Sequence, residues 1–380
     1  MFLMMLGLCL SVTPPPYPAP YPMDREAGIS AYQDLITPDE YKRRLKAGDL
    51  IGLSHEFKIP DGPPPVFQVE ITKVESMTAE VTKYHFARTD GTDMPAFDAG
   101  AHIDVVVAPE FFRQYSLSSD PSDLSNYQIA LLREEDGRGG SKLMHRIFQE
   151  GRKIFISPPH NHFPLDETAE KSYLMGGGIG ITPMIAMAHS LHKLGKDFEL
   201  HYSCSSRSKA GFLNDFSNVP WSHKVHLHFS DEGSRVNLEA LFADTNENHH
   251  IYVCGPERFI AAVLEAGISA GFSEDNLHRE YFTTPEAPDY VNHAFRLKLA
   301  KSGKDIYVPE NKSATDALAD AGIQVDVKCS DGLCGVCACG LLDGDVEHRD
   351  FVLSKKGRSE KIILCSSRAR MKDGVITIDL

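Results

Sequence analysis

Positive charge is scarce in this 380-residue chain: 39 Lys and Arg stand against 53 Asp and Glu, for a net charge of −14. A nucleic-acid binder needs a basic face, so the balance argues against that class. The acidity suits solubility or the steering of a basic partner. Long apolar runs are missing too. Met1–Leu10 is apolar but too short to span a bilayer. It lacks the basic start of a signal peptide, and Pro14, Pro15, Pro16, Pro18, Pro20 and Pro22 replace a small-residue cleavage site. An extended polyproline tail is expected there. Met23 is a candidate alternative start; Met77 is a worse one, because it would remove the strand Phe67–Ile71.

A second zinc knuckle is also absent. Cys329, Cys334 and Cys337 form C-x4-C-x2-C, and Cys365 follows downstream. Structural zinc usually pairs two short knuckles, and a disulfide framework belongs to short secreted chains. The spacing is instead that of a plant-type [2Fe–2S] cluster. Gly332 and Gly335 let the loop curl around two irons, and a small-residue loop leaves amides free for bridging sulfides. Cys339 has no slot in the pattern and is expected as a small buried side chain. Cys9, Cys204 and Cys254 suggest no second metal site. Eight cysteines with this pattern imply a reducing, cytoplasmic compartment.

The length fits two or three domains, and 42% hydrophobic residues support real cores. Residues 1–64 form an N-terminal extension with no assignable chemistry. In it Thr37-Pro38-Asp39-Glu40 is a capping box opening a short helix through Leu45, and Pro60–Pro65 reads as a linker. A docking arm and a disordered tail are both open readings.

Residues 65–167 read as an antiparallel β-barrel. Phe67, Val69 and Ile71 alternate with polar residues. Strands are expected at Thr82–Phe86, His102–Val107, Tyr127–Leu132 and Lys153–Ser157. Arg113, Tyr115 and Ser116 stand as R-x-Y-S on a strand, where an arginine can fork onto a phosphate while the ring packs on a planar ligand. Alone, such a strand also serves as ordinary surface. Gly139, Gly140 and Ser141 open a helical Lys142–Phe148 segment, a ready anion site or a plain hairpin turn. Together the two elements favour a phosphate-bearing aromatic cofactor such as a flavin.

Residues 168–287 alternate strand and helix as a parallel sheet does, with strands at Tyr173–Met175, Phe198–Ser203, Val225–Phe229 and Ile251–Cys254. The first ends in a glycine turn holding Gly178 and Gly180. Thr182 is the expected N-cap, Pro183 the first helical residue and Gly195 the stop. The turn lets a pyrophosphate approach the backbone, although the full dinucleotide fingerprint is lacking. Cys254-Gly255-Pro256 ends a later strand, where open α/β sheets bind ligands. Tyr281 and Phe282 are core filling or a lid on a flat ring. In residues 294–380, Phe295, Leu297 and Leu299 alternate, Ser313–Ala321 reads as a helix, and Val375, Ile376 and Ile378 supply a last strand. Tyr290–Ala294 is the expected hinge.

In this order the motifs resemble the phthalate dioxygenase reductase family over roughly residues 66–380. The resemblance implies a multidomain α/β plus all-β fold: a ferredoxin-reductase-like FMN barrel, an NAD(P)-binding α/β domain and a C-terminal β-grasp [2Fe–2S] ferredoxin. It implies that NADH or NADPH delivers hydride to FMN, which feeds the cluster one electron at a time. The acceptor would be a Rieske-type non-haem iron oxygenase, in ring hydroxylation or demethylation. Arg113, Gly139, Gly140 and Ser141 would hold the FMN phosphate. Tyr115 and Ser116 would meet its ring. Gly178, Gly180 and Thr182 would line the nucleotide crevice. Cys254, with Gly255 and Pro256, would lie near the nicotinamide, and Phe282 rather than Tyr281 would cover the flavin. Asp331 and Leu333 are candidates for the partner-facing surface.

The sequence departs from the family in two places. The base that members often carry at the position of Leu132 comes one residue later, at Arg133, which reverses its face. After the Phe198–Ser203 strand, Arg207 and Lys209 stand among serines where some relatives carry an acid, so a 2′-phosphate is as readable there as ribose hydroxyls. Three other readings are a nucleotide- and cluster-bearing redox sensor, a zinc-stabilised binding module, and a reductase for a diiron or haem monooxygenase. Domain order argues against the last.

Overall fold

The computed structural model describes residues 67–108, 111–134, 140–285, 290–327, 329–333 and 335–380. The helix expected after Thr37 and the polyproline tail lie outside them, as do Gly139 and Cys334. The chain divides into two compact units, the first ending at Leu241 and the second beginning at Phe242.

The first unit opens with an antiparallel sheet. Its strands are β1 (Phe67–Ser76), β2 (Val81–Arg88), β3 (His102–Ala108), β4 (Phe111–Ser116), β5 (Tyr127–Leu132) and, after helix α1 (Gly140–Ile147), β6 (Lys153–Ile156). The order is β4-β3-β6-β1-β2-β5. The Ser118 amide donates to the Gln128 carbonyl at 2.8 Å, so the edge leaving β4 meets β5 and the sheet closes on itself. Val69, Ile71, Phe86, Ile103, Val105, Ile129 and Ile156 fill the interior. Alternation in β1 holds as far as Ile71, where the register with β2 shifts before Lys73. That irregularity moves the following side chains off the pleat.

The parallel part of this unit comprises β7 (Lys171–Gly177), α2 (Ile181–Lys193), β8 (Asp197–Cys204), α3 (Leu213–Asn218), β9 (Val225–Phe229) and the short α4 (Leu238–Leu241). β7 pairs with β8 and β8 with β9, both parallel. β7 is buried on both sides along almost its whole length, as a central parallel strand is. The barrel is pinned to α3 by Lys83, which is 4% exposed and lies 2.5 Å from Asp215 and 3.2 Å from Glu75. Burial alone would raise the Glu75 pKa. Hydrogen bonds from Lys73 and His85 and the charge of Lys83 outweigh it and hold the carboxyl at about 2.

The second unit contains β10 (His249–Cys254), α5 (Glu257–Ala270) and β11 (Leu277–Glu280), with β10 and β11 paired in parallel. A mixed sheet follows: β12 (Phe295–Leu299), β13 (Asp305–Val308), α6 (Ala314–Asp320), β14 (Ala338–Asp343), β15 (Val346–Glu347), α7 (Lys355–Glu360), β16 (Lys361–Ile363), β17 (Arg368–Ala369) and β18 (Gly374–Ile378). Its order is β13-β12-β18-β14-β16, with β15 and β17 as a separate pair. β12 and β18 are parallel, while β12–β13 is a hairpin. Ser313 caps α6 in a reciprocal capping box with Asp316. Phe295, Leu297, Leu299, Ile362, Ile376 and Ile378 form the core.

The segment expected to be a hinge is strapped down. Arg349 donates to Asn292 Oδ1 at 2.6 Å and lies over the Tyr290 ring at 4.3 Å. The Arg368 guanidinium donates to the carbonyls of His293 (3.0 Å), Pro309 (2.8 Å) and Lys312 (2.7 Å). Charge-assisted bonds of this kind fix the path of residues 290–293 onto the C-terminal sheet. No helix among the described residues is long and apolar enough to cross a membrane.

Candidate functional site

Near the C-terminus three thiols converge. The Cys337 thiol is held below the usual range, first by its hydrogen bond with Cys365, while contact with Cys329 and Cys337 pushes the Cys365 thiol far up. These are the signs of a Cys365 sulfur within hydrogen-bond reach of both Cys329 and Cys337. The Asp331 amide donates to Cys329 Sγ at 3.4 Å, the loop amide-to-sulfur contact that stabilises a thiolate. The loop turns through left-handed backbone at Ser330 (φ 60°), Gly332 (φ 75°) and Gly335 (φ 69°). At Gly332 a Cβ would also sit 2.7 Å from Ser366 Oγ and 3.2 Å from Asp350 Cα, so only glycine fits there. A soft all-sulfur donor set on a tightly wound loop suits a [2Fe–2S] cluster. Asp331 and Leu333 beside it are half-buried.

One residue behind this loop was not legible in the sequence. Asp350 is fully buried, accepts from the Leu353 amide at 2.9 Å, and adjoins Phe351, whose amide donates to Gly332 O at 3.1 Å. Burial works against its charge, but His348, the Leu353 amide and Arg358 keep its pKa low. Cys339 is half-buried rather than buried: it lies on β14, with its thiol 3.8 Å from Asp379 O.

In the first unit, Arg113 and Tyr115 project from one face of β4, opposite Val105 and Ile103 of β3. The Tyr115 hydroxyl donates to the Met144 sulfur of α1 at 3.2 Å, and burial pushes its pKa well above the usual phenol range. Ser141 Oγ, in the first turn of α1, accepts from the Glu134 amide at 3.1 Å. The start of α1, the end of β5 and the Arg113–Tyr115 face are thereby brought together. Gly140 is the first residue of α1, and Ser116 is buried opposite His102. Arg133 is exposed, as its shifted position implies, and lines a cavity of about 360 Å³ with Lys142, His145 and Arg146. A cationic fork, a ring fixed by its hydroxyl and a helix start suit a phosphate beside a planar heterocycle.

The glycine turn after β7 differs from expectation. Gly178–Gly180 is one turn of 3₁₀ helix, Gly180 is the N-cap, and α2 already begins at Ile181. Thr182 lies inside the helix, is 2% exposed, and donates to Ile179 O at 3.0 Å. Its hydroxyl braces the turn instead of capping the helix, because the 3₁₀ turn runs straight into α2. Gly178 takes φ +55° in open space, with no atom within 4 Å of where a Cβ would stand. Gly195 ends the helix in left-handed backbone (φ 67°), as read.

Arg207 is exposed and occupied. Its Nε donates to Glu232 Oε1 at 2.7 Å and its Nη2 to Glu232 Oε2 at 3.2 Å, with the guanidinium 4.4 Å above the Phe229 ring. Glu232 lies 25 residues downstream, so nothing local in the sequence marks the pair.

In the second unit, Cys254 is wholly buried at the C-terminal end of β10. Burial, then the neighbouring charge of Glu280, raise its pKa and keep it a thiol. Gly255 and Pro256 follow, and Pro256 is the N-cap of α5. Tyr281 packs edge-on against Phe351, ring centroids 5.5 Å apart, whereas the Phe282 ring is 41% exposed.

A 2Fe-2S iron-sulfur cluster binding domain matches residues 297–370. The vanillate O-demethylase oxidoreductase of Pseudomonas sp. (strain HR199 / DSM 7063) is 36% identical over 83% of this chain and 100% of its own length. Phthalate dioxygenase reductase, described as a modular structure for electron transfer from pyridine nucleotides to [2Fe-2S], superposes with a TM-score of 0.59. It is 30% identical, over 83% of this chain and 98% of that one.

This chain belongs to the phthalate dioxygenase reductase family.

It is an oxidoreductase, the reductase of an oxygenase system, and its redox groups are a flavin, a nicotinamide nucleotide and a [2Fe–2S] cluster. A third similarity bears on its acceptor. An intact type IV self-sufficient cytochrome P450 monooxygenase gives a TM-score of 0.77 at 34% identity, over 89% of this chain. The chain spans 44% of that larger protein. Domain order therefore does not argue against a haem acceptor.

Proposed function

We propose that this family member carries electrons from NADH, through FMN and the cluster held by Cys329, Cys334, Cys337 and Cys365, to a separate Rieske-type non-haem iron oxygenase. The observation that carries the reading is that Cys365, arriving after β16, meets Cys329 and Cys337 of one wound loop, in a chain that also builds the Arg113–Tyr115–Ser141 face. The bound flavin supplies the junction between a two-electron donor and a one-electron acceptor.

The chain's own residues do the positioning. Arg113 would fork onto the FMN phosphate, joined by Gly140 and Ser141 at the start of α1 and by Gly139. Tyr115 offers a ring whose orientation Met144 fixes, and Ser116 is the adjacent hydroxyl. Gly178 and Gly180 leave room for the nucleotide pyrophosphate, with Thr182 bracing their turn. Cys254, kept a neutral thiol between β10 and Gly255-Pro256, presents no competing nucleophile to a nicotinamide. Phe282, left exposed while Tyr281 packs on Phe351, is the ring free to cover a flavin. The reading is tested by mixing the purified holoprotein with Rieske-type oxygenases and, separately, with a cytochrome P450. NADH-dependent product with a Rieske enzyme supports it; turnover with the P450 alone would transfer the assignment to haem.

The choice of NADH rests on the Arg207–Glu232 pair. A carboxylate there suits ribose hydroxyls and repels a 2′-phosphate, and it occupies the arginine that would bind one. Replacing Glu232 with alanine should raise the kcat/KM ratio of NADPH over NADH by roughly tenfold, the worth of one charge-assisted hydrogen bond. An unchanged ratio in steady-state assays would remove Glu232 from nucleotide selection.

A further inference from the structure

The face that β8 and β9 share carries side chains with no part in the electron relay. The strands run parallel with His201 directly opposite His226 and Ser203 opposite His228. The two-residue period of a strand therefore puts Glu199 and His201 on the same side as His226 and His228. His201 Nε2 lies 3.2 Å from Glu199 Oε2, and His226 Nε2 lies 3.7 Å from the same oxygen. The two imidazole rings stack with centroids 4.7 Å apart.

We propose that Glu199, His201 and His226 form a binding site for a divalent first-row transition ion, zinc above all. Two imidazoles and a carboxylate are the donor set that such ions select, with one position left for water. Bonds of about 2.0–2.2 Å in a tetrahedron place ligand atoms roughly 3.4 Å apart. The donor atoms here all lie within 4.8 Å of one another, so closing on an ion takes only small side-chain rotations. His201 is buried and His226 is 44% exposed, which leaves a solvent-side entry.

Two neighbours shape the site. His228 Nε2 sits 3.1 Å from His201 Nδ1 and holds that ring with Nε2 toward Glu199, a positioning contact of the kind metal-bound histidines make. Lys171 Nζ lies 2.6 Å from Glu199 Oε1 and competes with a cation for the carboxylate. An ion bound here would clamp β8 to β9 below the loops that carry Arg207 and Glu232, and would stabilise the folded state by mass action.

The test is equilibrium dialysis of the holoprotein, cluster and flavin loaded, against radioactive zinc, with Tm measured in parallel. The wild type should bind about one zinc per chain at micromolar free ion and gain Tm. His226→Ala, a change at a half-exposed position, should leave the metal-free Tm unchanged and weaken zinc binding by at least about thirtyfold, as should Glu199→Gln. Lys171→Met should tighten binding several-fold, an effect opposite to that of merely losing a structural ion pair. The proposal falls if the wild type takes up no zinc under these conditions. It falls too if zinc binding survives both His226→Ala and Glu199→Gln, or if Lys171→Met weakens binding.

Discussion

Replacing Cys337 with serine should stop electron delivery to a one-electron protein acceptor while NADH oxidation with ferricyanide continues. Cys337 is 4% exposed and its thiol is hydrogen-bonded with that of Cys365. A serine hydroxyl there is a hard, weakly acidic donor where iron needs thiolate. Even changes one shell out from a metal cost about 10–100-fold, so loss of a ligand should reduce cytochrome c reduction by at least about a hundredfold. The Arg113–Tyr115 face and the parallel strands of the first unit are built without residues of the C-terminal sheet, so flavin content and ferricyanide reduction should stay near wild type. Stopped-flow traces with both acceptors check this. If ferricyanide reduction were lost equally, the flavin and cluster would not occupy separable parts of the chain.

Arg113→Ala carries the second large effect. A forked guanidinium–phosphate contact makes two charge-assisted hydrogen bonds, each worth about 1.5–3 kcal/mol. Losing both should raise the Kd for FMN by about a hundredfold or more. The purified variant should be brown from the cluster but depleted in yellow, and added FMN at high concentration should restore NADH oxidation. The Tyr115–Met144 contact does not involve the arginine, so the ring's position should survive. Flavin content equal to wild type would mean that the phosphate is held elsewhere, and the basic cavity lined by Arg133, Lys142 and Arg146 would be the first place to look.

Much of this was readable before any coordinates. The strands Tyr127–Leu132 and Val225–Phe229 have the bounds their residue pattern gives, because each apolar-bearing run is flanked by polar residues, Asn126 and Arg133 for the one and Lys224 and Ser230 for the other. The cluster ligands were legible because iron needs thiolates at fixed spacing. What escaped depends on geometry that local pattern does not encode. β1 continues past Ile71 to Ser76 through a register shift that breaks alternation. Thr182 looks like a cap, but a preceding 3₁₀ turn takes that role and turns its hydroxyl inward. Arg207 looks free for a phosphate until Glu232 arrives from the next strand's loop. Asp350 is one carboxylate among many in the sequence, and only folding buries it behind Gly332.

The most direct test of the central claim is an anaerobic NADH titration of the purified chain, followed by visible absorption and electron paramagnetic resonance, with flavin, iron and labile sulfide assayed. We expect equimolar FMN and [2Fe–2S], both bleached by NADH, with one unpaired electron appearing on the cluster. Protein that held no flavin, or whose cluster stayed oxidised while the flavin was reduced, would contradict it.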